Sequence, residues 1–160
     1  MRWTALTLLA ICVPGLARAE EPPRSLVPGL NVSLFAEQPL IRTPTGIDVD
    51  ARGRVWAIEC NTHFRPSGYA GHPSDRVLVF SDADGDGRAE EPTMFADGFA
   101  ATMSVAVRPH WLPPVQVADG PAAMQQAYVA TRAEVWLLED LDGDDVCDRR
   151  TALFRLDTRG

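Results

Sequence analysis

Short runs of apolar residues, most of them alternating with polar ones, recur along the chain and are separated by clusters of Gly, Pro, Asn and Asp. That pattern predicts strands and tight turns. Residues 31–36 alternate polar and apolar. Residues 46–50 and 54–59 flank Ala51-Arg52-Gly53, a spacing that predicts a hairpin. Residues 76–81 and 93–96 flank an acidic loop, Asp82-Ala83-Asp84-Gly85-Asp86-Gly87. The order then starts again with 103–107, 127–131 and 134–139, an acidic loop from Asp140, and 151–156. Beyond residue 19 no window of a dozen residues keeps a 3.6-residue apolar period, so an all-β chain with almost no helix is expected.

An internal repeat organises these strands. Asp82 and Asp140 fall 58 positions apart, and Arg76-Val-Leu-Val-Phe-Ser-Asp-Ala-Asp-Gly-Asp-Gly aligns without a gap on Glu134-Val-Trp-Leu-Leu-Glu-Asp-Leu-Asp-Gly-Asp-Asp. A repeating unit of four short antiparallel strands is the mark of a β-propeller blade. The predicted layout is therefore a leader over 1–19, a Pro-rich lead-in with one strand over 20–43, blade 1 over 44–102 and blade 2 over 103–160. A closed propeller needs at least four blades, so the two are expected to be part of a longer ring, whose last blade the strand at 31–36 would join. Residues 108–124 are Pro-rich and longer than a hairpin needs, and read as a surface insertion.

Composition narrows the chemistry. All 15 cationic residues are Arg, which excludes a Schiff-base or phosphate-loop lysine. The formal charge of −7 and the scattered arginines argue against nucleic acid as a partner and favour a multivalent cation. Arg2, the apolar run 3–13 and Ala17-Arg18-Ala19 read as an export signal, which places the protein in the periplasm or outside the cell. Its removal takes the charge from −7 to −9. Ile11, before Cys12, argues against a lipoprotein site, and no later stretch is apolar enough for a transmembrane segment. Cys60 and Cys147 then remain; strand topology places them at opposite ends of their sheets, too far apart to pair.

Carboxylates at alternate positions of a tight turn converge on one point, which suits calcium and its six to eight oxygen ligands. Asp82, Asp84 and Asp86 form such a set, with Glu90 able to add oxygens; Asp140, Asp142, Asp144 and Asp148 repeat it. Thr93 and Thr151 stand where an EF-hand needs its bidentate Glu, so an EF-hand is excluded. Asp-Gly pairs also make good hairpin turns without any ion.

Thr62-His63-Phe64-Arg65-Pro66, Gly68-Tyr69, Gly71-His72-Pro73 and Asp75-Arg76-Val77, together with Pro28-Gly29-Leu30, Pro44-Thr45-Gly46-Ile47-Asp48 and Val129-Ala130-Thr131, resemble the N-terminal propeller of the membrane-bound dehydrogenase family of planctomycetes and related bacteria. The resemblance implies a six-bladed ring similar to the soluble quinoprotein glucose and sorbosone dehydrogenases, acting on a sugar or alcohol with the quinone PQQ. It also implies a cytochrome acceptor. Haem c would belong to a downstream domain, since Cys-x-x-Cys-His does not occur here. On that reading His63 is the candidate general base, in the loop 61–75, against the alternative that it only braces the loop. Arg65 either binds an anionic quinone or sugar acid or pairs with Asp75. His72 and His110 are expected to be solvated, Trp56 and Trp136 to be core. The competing function is a propeller without catalysis that binds carbohydrate or protein, its acidic hairpins serving stability.

Overall fold

The computed structural model describes residues 23–65 and 67–157, so the leader predicted over 1–19 and Cys12 lie outside the described residues. Eight strands follow one another: β1 (Pro44–Val49), β2 (Val55–Glu59), β3 (Asp75–Phe80), β4 (Thr93–Phe99), β5 (Thr102–Val107), β6 (Gln125–Thr131), β7 (Glu134–Asp140) and β8 (Arg149–Arg155). They form two four-stranded antiparallel sheets, ordered β1-β2-β3-β4 and β5-β6-β7-β8. There is no helix among the described residues, and none is long and apolar enough to cross a membrane. Each sheet is a plain meander, so its connections alternate between the two ends.

Alternation decides which side chains meet. Trp56, Ile58, Val77, Val79 and Phe95 of the first sheet face Val105, Ala127, Val129 and Leu138 of the second in one buried cluster. Burying each large side chain stabilises the fold by about 1.5–3 kcal/mol, which makes this seam the main apolar contribution. Trp56 is fully buried, its ring edge-on to Phe95 at 4.6 Å, and the half-buried Trp136 packs against Phe99; both are core, as their strand positions predict. The opposite face of the first sheet carries Ala57, Leu78 and Phe80, covered by Phe35, Ala36, Leu40 and Ile41.

Strands β1 and β5 approach each other closely at Gly46. A Cβ on Gly46 would come within 2.7 Å of the Ser104 Cα, so only glycine fits there. Polar links run beside this contact: Thr45 Oγ1 donates to the Thr102 carbonyl at 2.9 Å, and the Val107 N–H donates to Asp48 Oδ2 at 2.7 Å. Further along, the Cys147 N–H donates to the Phe95 carbonyl at 2.8 Å.

One expectation changes, at the end of the fourth strand. Residues 31–36, whose expected partner is a blade beyond these two, enter no ladder here; within that stretch Phe35 and Ala36 lie over the first sheet, where the Phe35 carbonyl accepts the Ala89 N–H at 2.9 Å. The fourth strand continues past Ala96 to Phe99, because a register shift and Gly98 at φ +81° let the Asp97-Gly98 pair be absorbed as an irregularity and not a turn. The Pro-rich segment 108–124 is mostly exposed and is tied to the second sheet: Gln126 exchanges hydrogen bonds with both backbone groups of Val115 (2.8 and 2.7 Å), and Arg108 Nη1 donates to the Tyr128 hydroxyl at 3.0 Å. Residues 23–33 form a separate unit containing a turn in which the Leu30 N–H donates to the Val27 carbonyl at 3.2 Å.

Candidate cation loops and the opposite loop end

The two acidic loops connect β3 to β4 and β7 to β8, and they repeat most of each other's backbone hydrogen bonds. Asp82 accepts the Gly85 N–H on Oδ1 (2.8 Å) and the Gly87 N–H on Oδ2 (2.9 Å); Asp140 accepts those of Gly143 (2.6 Å) and Asp145 (3.1 Å) in the same way. Asp84 and Asp86 each accept the N–H two residues on, as do Asp142 and Asp144. Glu90 closes the first loop on the Ala83 N–H, and Asp148 closes the second on that of Leu141 at 2.7 Å.

This scaffold aims carboxylates inward. One oxygen from each of Asp82, Asp84 and Asp86 lies within 4.8 Å of the others, and the same holds for Asp140, Asp142 and Asp148. A calcium ion with ligands at about 2.4 Å spans opposite oxygens separated by about 4.8 Å, so both sets fit a hard divalent ion. The first set is exposed; in the second, Asp140 is buried. Asp144 and Glu90 stand outside these sets.

Position 145 departs from the repeat, and its side chain gives the reason. Asp145 holds the left-handed backbone (φ +66°) that Gly87 adopts in the first loop, while its carboxylate lies 2.7 Å from Arg54 Nη1 on the β1–β2 turn. Arg54 in turn contacts Asp50 at 2.8 Å, and Trp56 Nε1 donates to the same oxygen at 3.1 Å. Burial by itself would push the Asp50 carboxyl up, but the hydrogen bonds from Trp56 and Arg54 together bring it below its ordinary range.

The β2–β3 loop leaves from the other end of the sheet. Strand β3 runs between that loop and the Asp82 loop, roughly 17 Å at 3.3 Å per residue. His63 is exposed in that loop, and among the described residues its ring meets only Phe64, edge-on at 4.5 Å. Among the described residues no hydrogen bond orients it. Arg65 does not pair with Asp75: it donates to the Asn61 carbonyl (3.3 Å) and the Pro73 carbonyl and lies over the Tyr69 ring. Among the described residues His63 and Arg65 thus have no common partner.

Asp75 is occupied elsewhere. Fully buried, it accepts the N–H groups of Asn61 (2.6 Å), Thr62 (2.8 Å) and Thr102 (2.8 Å) and the Thr62 hydroxyl (3.0 Å), tying the loop to the start of the second sheet. Burial would raise its carboxyl, yet the donated bonds outweigh that and hold it below the usual range. Sequence reasoning missed this anchor. The available signal was a break in the repeat, since an aspartate starts an apolar strand where the second unit has Ala133. His72 corrects another expectation: it is not simply solvated but sits 3.0 Å from the Ser74 carbonyl and 3.6 Å from Asp97. His110 is exposed, against Trp111.

Residues 24–156 match the family described as a domain of unknown function, DUF7133. The chain belongs to that family. No curated protein and no solved structure matches the sequence. In this DUF7133 chain the two loop ends carry the candidate chemistry.

Proposed function

We propose that this chain supplies two consecutive blades of a six-bladed β-propeller, exported to the periplasm or beyond, whose acidic hairpins take Ca2+ as a structural ion. The carrying observation is the pair of four-stranded meanders joined face to face with β1 crossing β5, each with the same convergent carboxylate loop at the same end. Ile47 (70% exposed) and Val49 (57%) stand on the face of β1 turned away from the second sheet, as the flank of a further blade requires. Phe154 is 63% exposed on the far side of the second sheet, whereas its repeat counterpart Ala96 is buried.

Resemblance to the quinoprotein sugar and alcohol dehydrogenases leaves two chemistries for such a ring. Binding of carbohydrate or protein without turnover is the first reading, supported by the exposed pair His63 and Phe64 on the β2–β3 loop. Oxidation with PQQ and a cytochrome acceptor is the second reading, resting on the resemblance. Incubating the full-length protein with PQQ, Ca2+, a panel of aldoses and alcohols and an artificial electron acceptor separates them. The binding reading expects no quinone-dependent reduction, with sugars or glycans retained in a binding assay. Reduction that is lost in His63→Gln would establish the dehydrogenase instead.

A further inference from the structure

Between the segment that leads into β1 and the β2–β3 loop lies a polar cleft of about 270 Å3, lined by Pro39, Arg42, Glu59, Gly71, His72 and Arg76. Glu59 forms its floor, 2% exposed. Arg76 grips one Glu59 oxygen through Nε (2.7 Å) and Nη2 (2.6 Å), and Asn61 Nδ2 donates to the same oxygen at 2.9 Å. The other oxygen receives the Arg42 N–H at 3.0 Å. With one donor on it, that oxygen retains acceptor capacity for a hydroxyl.

The charges do not cancel. Glu59 neutralises Arg76, while the Arg42 guanidinium is exposed and enters no ion pair or hydrogen bond among the described residues. His72 forms the wall, fixed by Ser74 on one side and Asp97 on the other. Arg65, the cation that sequence reasoning offered to an anion at this end, is spent on the carbonyls of its own loop. A planar guanidinium with unused donors, beside a second guanidinium whose orientation a buried carboxylate fixes, matches the paired oxygens of a carboxylate or sulfate group.

We propose that this cleft binds an anionic sugar, its carboxylate or sulfate group on Arg42 and the free edge of Arg76 and a ring hydroxyl on Glu59. The proposal rests on the binding reading above for its sugar frame, but not on the calcium loops, which lie at the other end of the strands. Isothermal titration of the full-length protein with glucuronate, glucose 6-sulfate, glucose and inorganic sulfate tests it. At least one anionic sugar binds, more weakly as salt rises, and glucose does not. Arg42→Ala, an exposed position, weakens binding by about ten- to a hundred-fold, while Arg155→Ala leaves it unchanged. Unaltered circular dichroism and melting of Arg42→Ala keep the result a binding effect. Equal affinity for glucose or for inorganic sulfate, or unchanged affinity in Arg42→Ala, would overturn the proposal. Failure of Ca2+ to stabilise the protein would count against the propeller reading and not against this cleft.

Discussion

Arg54 Nη1 lies 2.7 Å from Asp145 Oδ1, joining the β1–β2 turn of one sheet to the acidic loop of the other. The pair explains why an aspartate holds a left-handed position that the first loop gives to glycine. Two effects oppose each other in Asp145→Gly: the backbone is relieved by about 1 kcal/mol. Against that, a guanidinium only 12% exposed loses a charged partner, a loss of about 1–3 kcal/mol. Asp145→Asn tolerates the same backbone and loses only the charge, so it should be the more destabilised of the two in urea titration. An Asn variant as stable as the parent would show that the bridge contributes nothing.

Gly46 offers a sharper test of how the sheets pack. Because an added Cβ would meet the Ser104 backbone, Gly46→Ala has to separate β1 from β5. Overpacking of this kind costs about 1–3 kcal/mol. The expected result is a lower unfolding midpoint and faster amide exchange at Ser104 and Val105. Gly53→Ala is a useful contrast: it meets no neighbour but must hold φ +79°, so its loss should stay confined to the turn.

All eight strands are legible in the sequence because period-two runs between turn residues have few other solutions, and the 58-residue repeat fixes which runs belong together. Residues 31–36 carry the same alternation without forming a ladder, since a strand needs a partner that pattern cannot supply. The acidic loops are legible as candidates for the same local reason: their geometry is set by carboxylates bonding N–H groups two to five residues away. Glu59, Arg76 and Arg42 are not legible as a site, because their meeting depends on how the lead-in segment folds beside the end of β2. Asp145 with Arg54, and Asp75 with Thr102, are likewise contacts between sheets, which periodicity does not report.

Acid should unfold the protein through Asp75 and Glu139, alongside Asp50, whose carboxyl is likewise held low. Arg149 beside Glu139 holds that carboxyl low, with burial opposing and Gln126 adding to the effect, while hydrogen bonds outweigh burial at Asp75. Both groups titrate lower folded than unfolded. The stability they confer is therefore complete above the unfolded values of about 4, and is lost as pH falls through the lower folded values. Urea midpoints measured from pH 6 down to pH 2.5 should drop steeply below pH 4. Asp75→Asn should start less stable at pH 6 and show a shallower drop; an identical slope would remove Asp75 from the account.

Calcium should act at the hairpin end alone. An ion held at about a hundred times its dissociation constant adds roughly 2.7 kcal/mol to the folded state. Millimolar Ca2+ should accordingly raise the melting temperature of the full-length protein, and chelation should reverse the rise. Asp82→Asn with Asp84→Asn removes two of the three convergent oxygens of the exposed loop and should abolish most of that increment. Asp142→Asn should remove less, because Asp145 in the second loop already faces the Arg54 cation, whose field opposes a metal ion there. Since β3 separates this loop from the cleft at Arg42 and Glu59, affinity for an anionic sugar should be the same in the doubly substituted protein. A calcium-independent melting temperature in the parent would leave the acidic loops as hairpin turns held by their own backbone bonds. Calcium stabilisation retained after both substitutions would move the ion to the Asp140, Asp142 and Asp148 set.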